Sequence, residues 1–110
     1  MKAIVSAAST SGAKKIFQLE HASEIHSIQV TFTGSITALV ISIEGSLDGT
    51  NFVSLASHTL TAAEISAKLS LFHIVNKLVS YVRGNITTLT GTGTVTVEYD
   101  PATSAMLQVD

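Results

Sequence analysis

Residues 94–99, Thr-Val-Thr-Val-Glu-Tyr, alternate apolar and polar side chains more regularly than any other stretch of the chain. Successive side chains of a β-strand point to opposite faces of the sheet, so this alternation predicts a half-buried strand. Val95, Val97 and Tyr99 are expected to face the interior, with the polar residues between them facing solvent. Pro101 has no backbone N–H to donate, so we expect the strand to end there.

The same period recurs earlier in the chain. Single polar residues separate Ile28, Val30 and Phe32, which predicts a second half-buried strand. Residues 36–43 are largely apolar on both faces, which predicts a central strand covered on both sides. One face of that central strand is expected to hold Thr37, Leu39, Ile41 and Ile43. Residues 69–74 alternate as well and predict a further strand.

A turn is expected at Asp48 and Gly49. Glycine adopts positive φ without strain, and an aspartate side chain can bond the backbone that follows it. The hairpin that this turn predicts would bring Phe52 and Leu55 into the core beside the isoleucines of the central strand.

The spacing of the turns indicates the fold class. Turn signals recur roughly every ten residues and separate about six to eight short strands. This rhythm predicts an all-β fold, a single β-sandwich of the jelly-roll or immunoglobulin-like kind with antiparallel strands. Thr61 and Glu64 have the spacing of a capping box, which favours one short helical turn between strands.

A chain of 110 residues has room for one domain. We place the β-sandwich domain at residues 15–101. Residues 1–14 are mostly small and polar, so we expect a flexible N-terminal arm that packs no core. Residues 102–110 are expected to form a C-terminal tail, in which Met106 and Leu107 make a small apolar patch suited to docking on a neighbour.

The charge pattern argues against nucleic-acid and membrane partners. Six basic and eight acidic residues give a net charge of −2, and Lys14 and Lys15 form the only adjacent basic pair. That pair fits the solvated start of a strand better than a phosphate site, so no nucleic acid is expected. No apolar run approaches the ~18 residues that span a bilayer, and Met1–Val5 is too short for the ~7–15-residue core of a signal peptide.

The polar surface is expected to consist of hydroxyl groups more than charges. Charged residues make up 13% of the chain, about half the usual ~25%, whereas serine and threonine account for 28 of its 110 residues. A weakly charged surface resists self-association poorly. We therefore expect much of the surface to contact other subunits, most simply in a homo-oligomer; a sparsely charged monomer is the alternative.

Cysteine and histidine usage predicts no metal site and no nucleophilic catalysis. The chain has no cysteine, which excludes disulfides and thiolate zinc sites and fits folding in a reducing cytoplasm. No Gly-x-Ser-x-Gly elbow is present. Four histidines lack the spacing of metal ligands and are expected to be structural, at edge or half-buried positions: His21, His26, His58 and His73.

Acidic side chains could serve two further roles. Four of them could supply a glycosidase pair, although the sequence shows no cleft that would raise a carboxyl pKa: Glu44, Asp48, Glu98 and Asp100. Loop oxygens that calcium could use come from Asp48, Asn51 and Asp100, but EF-hand spacing is absent and turn formation is favoured. We therefore predict no enzyme activity, no catalytic residues, no cofactor and no metal ion.

Three segments resemble small virion structural proteins of tailed bacteriophages. Residues 36–52 run from a strand into the hairpin Glu-Gly-Ser-Leu-Asp-Gly-Thr-Asn-Phe, and residues 79–86 and 89–97 complete the resemblance. Similar proteins often carry tryptophan where Phe52 stands here. The resemblance implies a β-sandwich module of the capsid-decoration, head-fibre or tail-associated type. It also implies a symmetric homo-oligomer, often a trimer, whose partners are major capsid or tail subunits.

The function implied by this resemblance is structural. The chain is expected to fold in the host cytoplasm and then to decorate or stabilise the capsid through subunit contacts in the virion. The alternative is an adhesion or carbohydrate-binding module on a phage fibre or tail. Such modules usually stack sugars on exposed aromatic rings. The chain has no tryptophan, and Tyr81 and Tyr99 are both expected in strand cores.

Overall fold

The computed structural model describes residues 2–102. These residues form nine strands and one short helix. The elements are β1 (Lys2–Ala8), β2 (Gly12–Ala13), β3 (Phe17–Ser23), β4 (Ile25–Phe32), β5 (Ser35–Ser46), β6 (Val53–Thr59), α1 (Ala62–Ala67), β7 (Leu69–Ile74), β8 (Val79–Thr92) and β9 (Val95–Ala102). The helix lies where the capping box predicted it, with both reciprocal hydrogen bonds between Thr61 and Glu64 present.

Two antiparallel sheets pack face to face. The first sheet has the strand order β1-β9-β4-β7, and the second has the order β2-β8-β5-β6 with β3 also paired to β8. Strands β4, β8 and β9 each connect to a strand of the opposite sheet, so the chain crosses between the layers repeatedly. The predicted all-β class and β-sandwich are confirmed.

The period-two residues of both sheets fill one interior. Val95, Val97 and Tyr99 of β9 are buried, as are Ile28 and Val30 of β4, which confirms the alternation read from the sequence. The second sheet contributes Leu39, Ile41, Ile43, Val82 and Ile86. Burying an aliphatic side chain of this size contributes about 1.5–3 kcal/mol, so this dry layer is the main source of stability.

The inner face of β5 departs from the prediction at Thr37. Its side chain is exposed, whereas Ile36, assigned to the opposite face, is buried. The pairing of β5 with β8 shifts register between Ile36 and Ala38. An extra residue at such a bulge reverses the direction in which the preceding side chains point. The alternation of inward and outward side chains with a period of two residues therefore does not continue across the bulge.

The prediction of a flexible arm at residues 1–14 is wrong for most of that segment. Strand β1 pairs with β9, and Ile4 and Val5 are only 2% and 3% exposed. Gly84 explains why they fit, because a side chain there would lie 2.6 Å from a Val5 methyl group. The sandwich therefore spans residues 2–102, and the predicted tail patch at Met106–Leu107 lies outside the described residues.

The two ends of the sandwich differ. At one end, here called the groove end, Ile25 pairs with Ala102, Ser23 with Val79, and Gly45 with Val53. At the other, here called the glycine end, the β4–β5 and β8–β9 connections lie against each other. Thr33 and Thr94 hydrogen-bond there through a 2.9 Å N–H···O=C bond and a 2.9 Å contact between their hydroxyl oxygens.

Candidate functional site

A groove of about 530 Å³ opens at the groove end of the sandwich. Residues 45–55 of the β5–β6 hairpin form one wall. The other wall is formed by residues 76–78, between β7 and β8, and by Val79, the first residue of β8. Its volume lies within the ~300–1,000 Å³ typical of small-molecule pockets. The two walls are brought together by sheet pairing and not by closeness in sequence.

Aliphatic side chains lie at both the floor and the rim of the groove, beside the polar lining residues Ser46, Asp48, Asn51, Asn76 and Lys77. Leu47, Val53 and Leu78 on the rim are 68%, 65% and 57% exposed. Leu55 and Val79 form the floor, and both pack against the hydrophobic core. Three aliphatic side chains this exposed in one depression form a patch of the kind that marks an interaction site.

Hydrogen bonds within the hairpin fix the rim that carries Leu47. The Asp48 carboxylate accepts from the N–H groups of Asn51 and Thr50 at 2.9 and 2.8 Å, from the Asn51 side-chain amide at 2.8 Å and from the Ser46 hydroxyl at 2.8 Å. These donors, the Asn51 N–H first, hold the pKa of Asp48 well below its usual range. The predicted turn is confirmed, and Asp48 and Asn51 are the residues that form it.

A buried histidine holds the opposite wall. His26 Nε2 lies 2.8 Å from the carbonyl oxygen of Lys77. A carbonyl can only accept, so Nε2 carries the proton, and His26 Nδ1 accepts from the Tyr99 hydroxyl. The Lys77 N–H donates to the Glu24 carbonyl at 3.2 Å. Burial lowers the pKa of His26 and raises that of Tyr99. His26 is thus fully buried, deeper than the edge or half-buried position expected for it.

A second polar cluster joins α1 to β6 and β7. Glu64 contacts the Ser70 hydroxyl at 2.5 Å, the Thr61 N–H at 2.8 Å and His58 Nε2 at 3.0 Å. The Ser70 and Thr61 hydrogen bonds, followed by His58, lower the pKa of Glu64 to about 2. Apart from the capping-box spacing, nothing in the sequence indicates this cluster.

The arrangement of this cluster is not that of a serine-hydrolase triad, although it contains a serine, a histidine and an acid. In a triad the serine and the acid contact opposite nitrogens of the imidazole ring. Here Ser70 and Glu64 both lie 3.0 Å from Nε2 of His58, and Ser70 is buried. The cluster ties the helix to the two neighbouring strands.

The other acidic side chains named from the sequence lie apart from the groove. Glu44 pairs with Arg83 at 2.6 Å and accepts from the Asn85 amide at 3.0 Å on the outer face of the second sheet. Glu98 accepts from Gln29 at 3.3 Å on the first sheet. Within residues 2–102, no three histidine or acidic side chains are grouped so that they could hold a metal ion.

The remaining sequence candidates are on the surface. His21 and Asp100 are exposed, and His73 hydrogen-bonds the Ser27 hydroxyl at 3.0 Å on the outer face of the first sheet. Lys14 hydrogen-bonds the Thr10 carbonyl at 2.8 Å, and Lys15 lies above the Phe17 ring. None of these residues contributes to the groove.

The aromatic side chains are covered to different depths. Phe52, expected in the core, is half-buried with the Arg83 guanidinium 4.3 Å from its ring centre. Leu55 lies at the floor of the groove, against the core. Tyr99 is buried and Tyr81 is half-buried against Gly49. No phenylalanine or tyrosine ring among the described residues is fully exposed.

Two further observations bear on the class of protein. The one helix among residues 2–102 has six residues, and no described helix is long and apolar enough to cross a membrane. In comparisons with known proteins, no family model and no curated protein sequence matches this chain.

Proposed function

We propose that this chain is a non-enzymatic structural protein of a bacteriophage particle, which decorates or stabilises the capsid through subunit contacts. The observation that carries the proposal is the groove rimmed by Leu47, Val53 and Leu78. Leu47 lies in the hairpin whose sequence resembles phage virion proteins. A partner that covers this rim removes apolar surface from water, which is the general driving force for association.

The energy available at the groove favours repeated contacts over a single one. Full burial of one such side chain contributes about 1.5–3 kcal/mol, so covering three partly buried ones gives on the order of 3–5 kcal/mol. Bringing two proteins together costs about 4–15 kcal/mol in lost freedom. The groove contact alone is therefore too weak for a stable pair. Many copies meeting a lattice of identical subunits, or a closed oligomer, would supply the missing affinity.

The strand edges offer such additional contacts. β6 ends the second sheet and β7 ends the first, so each presents an unpaired row of backbone groups among the described residues. Leu69 and Leu71 on β7 are exposed. Unprotected edges pair readily with other chains. These edges support a homo-oligomer, with symmetric closure as the usual arrangement.

Binding to empty phage particles tests the proposal. The wild-type protein should co-sediment with them stoichiometrically, and Leu78→Asp should weaken binding at least about tenfold, which corresponds to ~1.4 kcal/mol. Ile16→Asp is the control, because Ile16 is an exposed aliphatic residue, at 43%, that lies outside both the groove and the β6 and β7 edges. Absence of wild-type binding, or equal weakening by both variants, would overturn the proposal.

The adhesion alternative has less support from the side chains. Sugar-binding modules present an exposed ring for stacking, and the rings described above are buried or half-buried. A glycan array separates the two functions, since a structural protein should bind no glycan above background.

A further inference from the structure

We propose that strand β7 is the surface through which two copies of this chain pair, edge to edge, about a two-fold axis at Leu71. The inference rests on the homo-oligomer of the proposed function and deepens it, because it names the contact and its register. It concerns the isolated protein, so it can be tested without phage particles.

Strand β7 is the least protected sheet edge among residues 2–102. Proteins usually protect their edges with bulges, charged residues, proline or very short strands. The other edges have such features: β1 shifts register twice against β9, β6 and β3 each shift once against their neighbours, and β2 has only two residues. By contrast, all six residues of β7 pair with β4 in unbroken register. The strand contains no acid, lysine, arginine, glycine or proline.

The hydrogen bonds of β7 show which of its backbone groups face outward. The Phe32 N–H donates to the Lys68 carbonyl at 3.4 Å, so this carbonyl points toward β4. A carbonyl and the N–H that follows it lie on opposite sides of a trans peptide, so the Leu69 N–H points away from β4. Because these groups alternate along an antiparallel strand, Leu69, Leu71 and His73 present their N–H and C=O groups at the outer side of the edge.

The side chains at this edge suit a buried contact. Leu69 and Leu71 are 46% and 59% exposed. Ser70, between them, is buried and hydrogen-bonds Glu64 of α1. The helix is therefore tied to the inner side of β7 and leaves both leucines uncovered. Another strand laid along this edge would satisfy the outward backbone groups and remove aliphatic surface from water.

A second copy of the chain provides a complete complement to this edge. In an antiparallel pair about an axis at Leu71, the two copies of Leu71 lie opposite each other, and Leu69 lies opposite His73. No other axis position pairs all three outward residues of β7 with one another. Each opposed pair of this kind exchanges two hydrogen bonds, which gives about six across the contact. Closed two-fold dimers are the commonest symmetric assemblies.

The pairing would join the four-stranded sheets of two copies into one continuous sheet. Side chains directly opposite each other across antiparallel strands have Cβ atoms about 4.5–5.5 Å apart, so the Leu71 side chains of the two copies would contact at the axis. None of the residues that line the groove belongs to β7. The dimer contact and the groove thus use different residues and can be tested separately.

Single introduced cysteines test the register, because the chain has none of its own. Opposed residues of a hydrogen-bonded pair have Cα atoms about 5.5 Å apart, within the ~4.4–6.8 Å range of disulfides. Leu71→Cys should therefore form a disulfide-linked dimer with oxidised glutathione. Leu69→Cys is the matched control on the same strand: its two copies would be four residues apart along the strand, roughly 13 Å.

Non-reducing electrophoresis measures both rates. Leu71→Cys should cross-link at least about tenfold faster than Leu69→Cys, because pairing raises the effective concentration of one thiol near the other. Equal rates would indicate random collision and would overturn the proposal. Faster cross-linking of Leu69→Cys would overturn the register about Leu71.

Amide hydrogen exchange provides a readout that needs no substitution. The amides of Leu71 and His73 should exchange at least about tenfold more slowly as protein concentration is raised, because they gain partners only in the dimer. The amides of Ser70 and Phe72 face β4 and should be protected at every concentration. Protection of Leu71 and His73 that does not depend on concentration would place a partner within the same chain and would overturn the proposal.

A charge at the axis tests the energetics of the contact. Leu71→Lys places two like charges opposite each other and removes the leucine contact, so the dissociation constant of the dimer should rise at least about tenfold by light scattering. Ile16→Lys adds the same charge at an exposed aliphatic position outside β7 and should leave the dissociation constant unchanged. A monomeric wild-type protein, or equal weakening by both variants, would overturn the pairing. Particle binding through Leu78 is a separate measurement, so failure of one proposal is distinguishable from failure of the other.

Discussion

At the scale of single residues, His26 couples the stability of the fold to pH. Its ring is buried and neutral, with one nitrogen donating to Lys77 and the other accepting from Tyr99. Protonation would place a second N–H against the Tyr99 hydroxyl in a site that water does not reach. Burial therefore opposes the charged form and lowers the pKa.

This histidine should make the protein sensitive to mild acid. Its pKa is lowered in the folded state, so below about pH 6.5 the unfolded chain binds more protons and the free energy of unfolding falls as pH decreases. Urea denaturation between pH 7.5 and 5.5 should show this slope in the wild type. His26→Phe should reduce the slope, whereas His21→Gln, at an exposed position, should retain it. An unchanged slope in His26→Phe would contradict the assignment.

At the scale of elements, β1 depends on a complementary pair in different strands. Val5 occupies the space that the missing side chain of Gly84 leaves. Gly84→Ala alone should destabilise the fold by about 1–3 kcal/mol through overpacking. Val5→Ala alone should cost roughly 2 kcal/mol through lost burial and a cavity.

The double variant Val5→Ala with Gly84→Ala shows whether the two positions share one space or affect the free energy of unfolding independently. The alanine methyl at position 84 would fill the cavity left at position 5, so the double variant should be more stable than the sum of the single effects by about 0.5–3 kcal/mol. Denaturant midpoints of the four proteins measure the coupling. Strict additivity would show that the two positions do not share this space.

The same pair shows where sequence patterns stop being informative. Alternation predicted the inward faces of β4 and β9 because each is an uninterrupted strand with a regular partner. It missed β1, because the burial of Ile4 and Val5 depends on a glycine about eighty positions away. It failed at Thr37 because a bulge changes the register. The groove was not predicted, since its walls come from segments that only sheet pairing brings together.

At the scale of the whole molecule, the glycine end connects the two layers. The β4–β5 and β8–β9 connections both cross between the sheets there. A side chain on Gly93 would overlap the Thr33 carbonyl, and Gly93 has a φ of +148°. Both connections can approach this closely because Gly93 and the facing Gly34 lack side chains.

Gly93→Ala should therefore destabilise the whole domain. We expect a loss of more than about 3 kcal/mol, because the collision adds to a backbone strain of ~1–3 kcal/mol. Gly12→Ala is the control: Gly12 also has positive φ, at +115°, but nothing lies within 4 Å of the added methyl group. Gly12→Ala should therefore lower the free energy of unfolding only by the backbone strain of ~1–3 kcal/mol. Thermal unfolding measures both, and equal losses would exclude a special role for the connection at Gly93.

The two walls of the groove respond differently to acidification. The Asp48 turn keeps its hydrogen bonds in moderate acid, because four donors hold its carboxylate ionised. The loop at Lys77, by contrast, rests on an imidazole that must remain uncharged. A weakly acidic medium would thus loosen the Lys77 wall of the groove while the Asp48 wall kept its shape. The affinity of the groove for a bound partner should therefore decline before the domain unfolds.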